Sequence, residues 1–301
     1  MNADRKIYSR VEDIPSGRAD ESITEGCLVL EGGGWRGLYT LGVLDCLMLN
    51  GINIRTTIGI SAGALSGLGY TAGQIGWGAR IDLHYRHDPR YCGAVAMLYE
   101  KGIMGYRYLF NRIIKDLPLD IKRLKETPRR LFVGATNLLT GELEYFEKGK
   151  SNILLASAAS ASVPYITKPV IINGTPYLDG GCAEKIPYHF AKEMGEKKIV
   201  VVKTREREYR RKEKRQRMAS LVYGKYPEFV EAINHANEKF NLMMEEFEAD
   251  EKAGKLFVIA PTGKVEVKRF ERDMEKLGEL YWRGYSDMED KLPMLREYLD
   301  I

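Results

Sequence analysis

The sequence has few of the residues that bind metals or form disulfides. It holds four cysteines and four histidines in 301 residues. No two cysteines form a C-x-x-C pair, and their spacing fits no zinc pattern. We therefore expect free, buried thiols in a reducing compartment. No cluster of metal ligands is visible, so neither a cofactor nor a metal is expected.

The sequence also lacks long apolar runs and a strong charge of either sign. No stretch approaches the ~18 consecutive apolar residues of a transmembrane helix, and the charged N-terminus has no apolar core of a signal peptide. The formal net charge of +4 is too small to indicate nucleic-acid binding. We expect a cytoplasmic globular protein without a nucleic-acid partner; its oligomeric state stays open.

Alternating apolar strands and helices predict an α/β fold. The strand Cys27–Leu30 is followed by a helix over Arg36–Asn50, and the strand Thr56–Ile60 by a small-residue helix from Ala62. This order predicts three layers, with a mostly parallel central sheet and helices on both faces. Further strands are predicted at Leu131–Ala135, Leu143–Phe146, Val170–Ile172, Tyr177–Leu178, Ile199–Val202 and Leu256–Ala260. The pair Asn173-Gly174 predicts a hairpin turn.

Composition divides the chain into three parts. Residues 1–24 are polar and predict a loose arm, residues 25–205 the main α/β domain, and residues 206–301 a mainly helical extension. The boundary near 205 follows a shift from glycine-rich to highly charged sequence. We predict a helix over Tyr226–Glu251 and two more between Val267 and Leu299, separated near Gly284.

Gly32, Gly34 and Gly37 spell G-x-G-x-x-G directly after a predicted strand, which is the pattern of a dinucleotide-binding turn. That function needs an acidic residue at the end of the second strand to hold a ribose. None is there, and Asp45 lies too early, within the predicted helix. A dinucleotide site is therefore disfavoured.

The second strand instead ends in G-x-S-x-G, with Ser61 between Gly59 and Gly63. This pattern between a strand and a helix is typical of a nucleophile elbow, in which the serine hydroxyl projects from a sharp turn. A helix N-terminus follows and favours negative charge at the same point.

With a nucleophile next to it, the glycine turn has another function. Acyl transfer creates an oxyanion that backbone N–H groups must receive. The turn from Gly32 to Gly37 can present bare amides, of which Gly33 and Gly34 are the best donors, while Arg36 supports the loop or the charge. Neighbouring parallel strands would bring this turn and Ser61 to one edge of the sheet.

The pattern resembles the patatin-like phospholipase family. The motifs that carry the resemblance are GGGWRG (Gly32–Gly37), GISAG (Gly59–Gly63), ASASVP (Ala159–Pro164) and DGG (Asp179–Gly181). The segment from Arg269 to Tyr285 also resembles the C-terminal extension of a bacterial branch of that family. One departure is that Lys185 stands two residues before Pro187, where many members have asparagine.

The resemblance implies a patatin-like fold and a Ser61–Asp179 dyad without a catalytic histidine. The sequence agrees, because Asp179 follows a predicted strand and precedes two glycines, as a strand-end residue would. The histidines are expected at the surface or at helix ends. They are His84, His87, His189 and His235.

The expected activity is hydrolysis of fatty-acyl ester bonds of lipids, of the phospholipase A or lysophospholipase type. Two alternatives stay open: a carboxylesterase or thioesterase for soluble acyl substrates, and a catalytically silent lipid-binding protein. The apolar stretch Tyr91–Phe110 is interpreted as a cap or acyl pocket, or else as ordinary core. The basic stretch Arg205–Arg217 is interpreted as a peripheral contact with anionic membrane, or else as a solvated surface.

Overall fold

The computed structural model describes residues 6–212, 216 and 218–301. Within this part of the chain there are ten strands. They are β1 (Gly17–Arg18), β2 (Thr24–Leu30), β3 (Ile54–Ile60), β4 (Gln74–Ile75), β5 (Arg130–Asn137), β6 (Leu143–Glu147), β7 (Val170–Ile172), β8 (Thr175–Asp179), β9 (Ile199–Val202) and β10 (Leu256–Ile259).

Eight of the strands in the described residues form one sheet. Its order is β10-β9-β2-β3-β5-β8-β7, and β6 pairs with the other side of β5. The four neighbouring pairs from β10 to β5 are parallel, and the pairs that involve β6, β7 and β8 are antiparallel. The prediction of a mostly parallel central sheet is confirmed. Asn173 and Gly174 both have positive φ between β7 and β8, so the predicted hairpin is also confirmed.

Twelve α-helical segments occur among the residues that the structure describes. They are α1 (Gly37–Leu49), α2 (Ala62–Ala72), α3 (Trp77–Tyr85), α4 (Ala94–Glu100), α5 (Tyr106–Tyr108), α6 (Ile114–Asp116), α7 (Ile121–Glu126), α8 (Ile153–Ser160), α9 (Tyr188–Glu193), α10 (Ala219–Tyr223), α11 (Pro227–Lys252) and α12 (Met274–Leu299). A π-helical turn, Leu109–Ile113, joins α5 to α6, and short 3₁₀ turns lie at Val11–Asp13, Gly34–Arg36 and Gly180–Cys182.

Helices cover both faces of the sheet because its buried strands are apolar on both sides. In β2, Leu28 and Leu30 belong to the core that contains α1, α2 and α12. Their neighbours Cys27 and Val29 belong to the opposite core, which α9 and α11 cover. Because successive side chains of a strand point to opposite faces of the sheet, the apolar residues of β2 contribute to both cores. The prediction of three layers is confirmed.

Helix α12 packs closely against α1, and this corrects one prediction. A Cβ at Gly284 would overlap Tyr39 O, and a Cβ at Gly42 would overlap Tyr281 O. The two glycines therefore permit backbone-to-backbone approach. The expected break near Gly284 is wrong, because α12 continues without interruption from Met274 to Leu299.

The N-terminal arm is also not loose over its described part. Tyr8 and Ile14 are buried in the main core, and a Cβ at Gly278 would overlap the Tyr8 ring. Strand β1 pairs antiparallel with β4. The polar composition of residues 1–24 did not predict these contacts, because only a few apolar residues hold the arm against the core.

The chain after residue 205 shares the main sheet. Strand β10 pairs with β9 at the sheet edge, and α12 covers α1. The boundary near 205 stays a prediction. Among the described residues, no helix is long and apolar enough to cross a membrane.

Candidate active site

Ser61 occupies a strained corner between β3 and α2. Its backbone has φ 56° and ψ −122°, which is unfavourable for a residue with a Cβ. The flanking residues must be small: a Cβ at Gly59 would lie 2.6 Å from Gly63 O, and a Cβ at Gly63 would lie 2.5 Å from Leu30 O. The local geometry is that of a strand-to-helix elbow that projects a hydroxyl.

Ser61 and Asp179 meet because β3 and β8 run towards each other along the same side of β5. Strand β3 is parallel to β5 and ends with Ile60 opposite Gly134. Strand β8 is antiparallel and ends with Asp179 opposite Ala135. The two strand ends therefore face each other at consecutive residues of β5, and the next residue after β3 is Ser61.

The two side chains are in direct contact. Ser61 Oγ donates a hydrogen bond to Asp179 Oδ2 over 2.9 Å. The other carboxylate oxygen accepts the Gly181 backbone N–H at 2.8 Å, which fixes the rotation of the carboxylate. Ser61 is 5% exposed and Asp179 2% exposed. A carboxylate in this position can accept the serine proton during attack on a carbonyl.

The segment Ala159–Pro164 holds both sides of this contact. Ser160 Oγ accepts the Ser61 backbone N–H at 2.8 Å and donates to Gly134 O at 2.6 Å. Ser162 O accepts the Asp179 backbone N–H at 2.8 Å. The sequence drew attention to this segment but gave neither serine a task, since spacing alone does not show which backbone group a hydroxyl will reach.

The glycine turn lies directly beside Ser61. A Cβ at Gly32 would stand 2.9 Å from Ser61 Cβ. Within the described chain, the backbone amides of Gly33 and Gly34 donate to no protein acceptor, whereas the Trp35 amide donates to Arg269 O at 3.2 Å. The Gly37 amide bonds back to the carbonyls of Gly34 and Trp35. The Gly32 amide also donates to no protein acceptor in the described residues, so three consecutive glycine amides at this turn are free to bind a ligand.

Glu31 and Thr204 bond to each other and support the glycine turn. Glu31 is fully buried, and its Oε2 accepts the backbone N–H of Thr204 at 2.6 Å. Thr204 Oγ1 donates to Gly32 O at 3.2 Å. A Cβ at Gly33 would lie 2.6 Å from the same Oγ1. Sequence reasoning missed both residues, because β9, which ends just before Thr204, is distant in the chain.

Arg36 is largely buried beside the glycine turn. It is 7% exposed, and its Nε has no partner in the described residues. Burial lowers the pKa of its guanidinium to about 10, and the charges of Arg205, Arg269 and Arg211 act in the same direction. Arg36 therefore adds positive potential next to the glycine turn.

A partly open cavity with about 790 Å³ of empty volume lies over Ser61. Its walls are mainly apolar and include Leu41, Leu65, Trp77 and Ile81. This lining suits a small apolar ligand or an acyl chain. Asp82 is an acidic group in the wall, and Tyr91 donates a hydrogen bond to it at 2.9 Å. Burial raises the pKa of Asp82 to about 7.

The stretch Tyr91–Phe110 divides between cavity wall and surface. Tyr91, Met104, Tyr106 and Leu109 line the cavity. Between them, α4 exposes three consecutive apolar side chains: Met97, Leu98 and Tyr99 are 50%, 62% and 75% exposed. The stretch thus contributes to the pocket without being ordinary core throughout.

The basic stretch carries less free charge than its composition indicates. Arg207 pairs with Glu251, and Arg210 pairs with Glu248 at 2.5 Å. Arg211 lies 3.8 Å from the buried Glu31. Four residues of the stretch, Glu213–Arg215 and Arg217, lie outside the described residues.

The remaining candidate residues lie near Ser61 and Asp179 or away from them. Lys185 donates from Nζ to Gly181 O, in the turn that follows Asp179. In the described part of the chain no histidine contacts Ser61 or Asp179: His87 bonds Arg272 O, and His189 and His235 pair with glutamates. All four cysteines are buried and free, as expected.

Comparison with known proteins adds family information. A family model described as "Patatin-like phospholipase" matches residues 28–192. A second model, described as a domain of unknown function (DUF6363), matches residues 226–300. The solved structure of VipD from Legionella pneumophila is similar with a TM-score of 0.48 and 14% identity, covering 95% of this chain and 68% of that one.

Three curated relatives are similar over more than half of this chain. An uncharacterized Escherichia coli protein, YjjU, is 29% identical over 59% of this chain and 51% of its own length. The probable lipid hydrolase 463L of Invertebrate iridescent virus 6 is 30% identical over 57% and 64%. Lysophospholipase NTE1 of Meyerozyma guilliermondii is 29% identical over 58% of this chain but 12% of its own. The chain thus matches about half of the first relative and a small part of the third. Since the patatin-like phospholipase model spans more than half of the 301 residues, the chain belongs to the patatin-like phospholipase family.

Proposed function

We propose that this protein is a serine acyl hydrolase that cleaves fatty-acyl ester bonds of lipids. The observation that carries the proposal is the 2.9 Å hydrogen bond from Ser61 Oγ to Asp179 Oδ2 at a strained elbow. Family membership supports a hydrolase, and the printed names of two relatives, a lysophospholipase and a probable lipid hydrolase, support a lipid substrate.

In the proposed reaction, Ser61 Oγ attacks the ester carbonyl while Asp179 accepts the hydroxyl proton. The proton then passes to the leaving alcohol, and an acyl-enzyme on Ser61 remains. Water, deprotonated by the same carboxylate, releases the fatty acid. Two hydrogen bonds hold the Ser61 hydroxyl and the Asp179 carboxylate in position for this attack. They run from Ser61 N–H to Ser160 Oγ and from Gly181 N–H to Asp179 Oδ1.

We assign the oxyanion to the backbone amides of Gly33 and Gly34, since both lack a protein acceptor in the described residues. Both follow Gly32, which lies against Ser61, and Gly34 lines the same cavity as Ser61. The amide of Ala62, at the start of α2, is a further candidate, because the residue after a nucleophile often donates to the oxyanion. Preorganised donors of this kind contribute about 10²–10³ each to the rate.

The experiment combines active-site labelling with a lipid panel. A fluorophosphonate should label Ser61 and leave Ser66, another serine of the cavity wall, unlabelled. Ser61→Ala and Asp179→Asn should both abolish release of fatty acid, with unchanged circular dichroism. Asp290→Asn, an exposed carboxylate of α12, is the matched control and should retain activity.

The outcomes separate the alternatives. Hydrolysis of short aryl esters or thioesters with no release from lipid would favour the soluble-substrate esterase. Lipid binding without labelling of Ser61 would favour the catalytically silent lipid-binding protein. Near-full activity of Asp179→Asn would remove the dyad from the mechanism.

We also propose that the enzyme contacts lipid surfaces through α4. The exposed Met97, Leu98 and Tyr99 adjoin the segment that lines the cavity. Lys101 and Arg107 are exposed close by in the chain and carry no salt bridge among the described residues. An exposed apolar patch with neighbouring cations suits an anionic lipid surface. The ion-paired arginines at 207 and 210 make the basic stretch a weaker candidate.

A further inference from the structure

The C-terminal region of unknown function contributes one wall of the active-site cavity. Arg269 and Phe270 line the same cavity as Ser61. The Arg269 carbonyl accepts the Trp35 amide at 3.2 Å. At Gly34, which has φ +58°, a Cβ would lie 2.6 Å from that carbonyl oxygen. The segment Lys268–Asp273 therefore lies directly against the glycine turn.

Arg86 and His87 hold this segment in place. Arg86 is 5% exposed, and its guanidinium donates to Glu271 O at 2.6 Å and to Phe270 O at 3.2 Å. The same guanidinium lies 4.7 Å from the centre of the Trp35 ring. His87 Nε2 lies 2.8 Å from Arg272 O. The backbone of Arg269 is thus fixed at the cavity wall.

The Arg269 side chain is exposed, and in the described residues it makes no hydrogen bond or salt bridge. Other cations lie around it. Burial lowers the pKa of Lys185 to about 8, and the charges of Arg211 and Arg269 contribute in the same direction. The charge of Arg269 also contributes to the lowered pKa of Arg36 and of Arg211. The geometry also places these cations around the site. Lys185 Nζ donates to Gly181 O beside Asp179, and Arg211 lies 3.8 Å from Glu31, which directly precedes the glycine turn. Arg36 belongs to the turn itself.

The carboxylates nearby bond to donors of the protein. The Glu271 carboxylate accepts three backbone amides of its own segment. Glu31 lies 3.8 Å from Arg211, and Asp179 bonds Ser61. Asp82 is bonded by Tyr91 in the cavity wall, and burial raises its pKa to about 7, which reduces its charge. The cavity wall beside Arg269 is therefore electropositive and open to a ligand.

We propose that Arg269 binds an anionic group of the substrate, such as the phosphate of a lipid headgroup, with Lys185, Arg211 and Arg36 adding positive potential behind it. A guanidinium can donate two parallel hydrogen bonds to a phosphate. The inference rests on the proposed hydrolase function and deepens it. It gives the C-terminal region the task of selecting anionic over neutral ester lipids.

The test compares two esters with the same acyl chain, lysophosphatidate and monoacylglycerol, below the concentration at which they form micelles. Arg269→Gln should raise KM for lysophosphatidate about tenfold, as expected for loss of one charge-assisted hydrogen-bonding pair. Its kcat, and both constants for monoacylglycerol, should change less than twofold. Arg269→Lys should recover part of the loss. The matched control is Arg272→Gln, an exposed arginine of the same segment that does not line the cavity.

Binding measurements separate this inference from the proposed function. Titration of lysophosphatidate into Ser61→Ala should give a tenfold weaker Kd when Arg269→Gln is added. If the Kd values differ in this way but the wild-type enzyme hydrolyses neither ester, the proposed function is overturned and the anion subsite is retained. Equal losses for both esters, or no loss for either, would overturn the subsite. Competition by inorganic phosphate without discrimination between the esters would assign the cluster to a free anion and also overturn the headgroup proposal.

Discussion

The hydroxyl of Ser160 accepts a hydrogen bond from the backbone N–H of Ser61 at 2.8 Å and donates one to Gly134 O at 2.6 Å. The bond crosses from α8 to the elbow and joins two residues that are 99 positions apart. It satisfies a buried donor at the one backbone position in the site that has an unfavourable φ. Ser160 is therefore a positioning residue for the proposed nucleophile.

We expect Ser160→Ala to lower kcat about tenfold, since a buried amide left without its acceptor costs about 1–3 kcal/mol and relaxes the elbow. The matched control is Ser157→Ala in the same helix, whose hydroxyl bonds Ile153 O instead. Steady-state kinetics on one ester, with thermal unfolding of both variants, measures the effect. Equal kcat for the two variants would remove Ser160 from the site.

Gly33→Ala tests the proposed oxyanion donors. The new Cβ would meet Thr204 Oγ1 at 2.6 Å, so the turn must shift and carry its amides away from Ser61. Displacement of one donor should lower kcat about 10²–10³-fold with little change in KM. Gly195→Ala is the control: its φ of +75° makes alanine strained there, but no atom lies within 4 Å. A Gly33→Ala enzyme with wild-type kcat would contradict the assignment.

The sequence predicted the parts of the site that are local motifs. The elbow at Ser61, the glycine turn and the strand end at Asp179 each occupy a few consecutive residues, and strand order brings them to one place. The role of Ser160, and the wall formed by Arg269, depend on contacts between distant segments. No local spacing encodes such contacts, so the structure was needed to find them.

Gly284 illustrates the same limit within the fold. In the sequence an isolated glycine inside a helical pattern suggests a break. In the structure it is the point at which α12 lies against Tyr39 O of α1, while Asp287 accepts the Tyr39 hydroxyl at 3.0 Å one turn further on. A glycine in a helical pattern can indicate either close packing against another helix or the end of the helix. Only the position of the neighbouring helix in the structure distinguishes the two.

Gly284→Ala should therefore destabilise the protein, although alanine is the better helix former by about 1 kcal/mol. The added methyl overlaps the Tyr39 carbonyl, and overpacking of this kind costs about 1–3 kcal/mol or more. Urea unfolding measures the change. Ser286→Ala, at an exposed position of the same helix, should be neutral or slightly stabilising. A gain in stability for Gly284→Ala would show that α12 does not pack on α1 in this way.

Asp45 should make stability depend on pH. It belongs to α1 and is buried against α12. Its carboxylate accepts hydrogen bonds from the Tyr281 hydroxyl and from the Gly76 amide, both at 2.8 Å. Burial raises its pKa to about 7. Below the ordinary pKa of a carboxyl both states are protonated; above it the unfolded chain ionises first. This group therefore lowers the free energy of unfolding as pH rises towards 7, and its contribution is then constant.

Asp45→Asn removes that titration. The stability advantage of wild type over Asp45→Asn should shrink by about 2–3 kcal/mol between pH 5 and pH 8, at about 1.4 kcal/mol per pH unit up to the folded pKa. Urea unfolding of both proteins at each pH gives the difference, and Asp290→Asn on the surface is the control. A difference that is constant with pH would mean that Asp45 ionises in the folded protein as it does in the unfolded one.

The proposed lipid contact at α4 can be tested with two leucines of nearly equal exposure. Leu98 in α4 is 62% exposed, and Leu242 in α11 is 60% exposed. If α4 inserts into lipid, Leu98→Ser loses the burial of one side chain, about 1.5–3 kcal/mol, and binding to vesicles should fall about tenfold or more. Leu242→Ser should bind as wild type. Sedimentation with anionic and neutral vesicles measures both, and hydrolysis of a soluble aryl ester checks that each variant keeps its active site. Equal loss of binding in the two variants, or none in either, would mean that α4 is not the surface that meets the lipid.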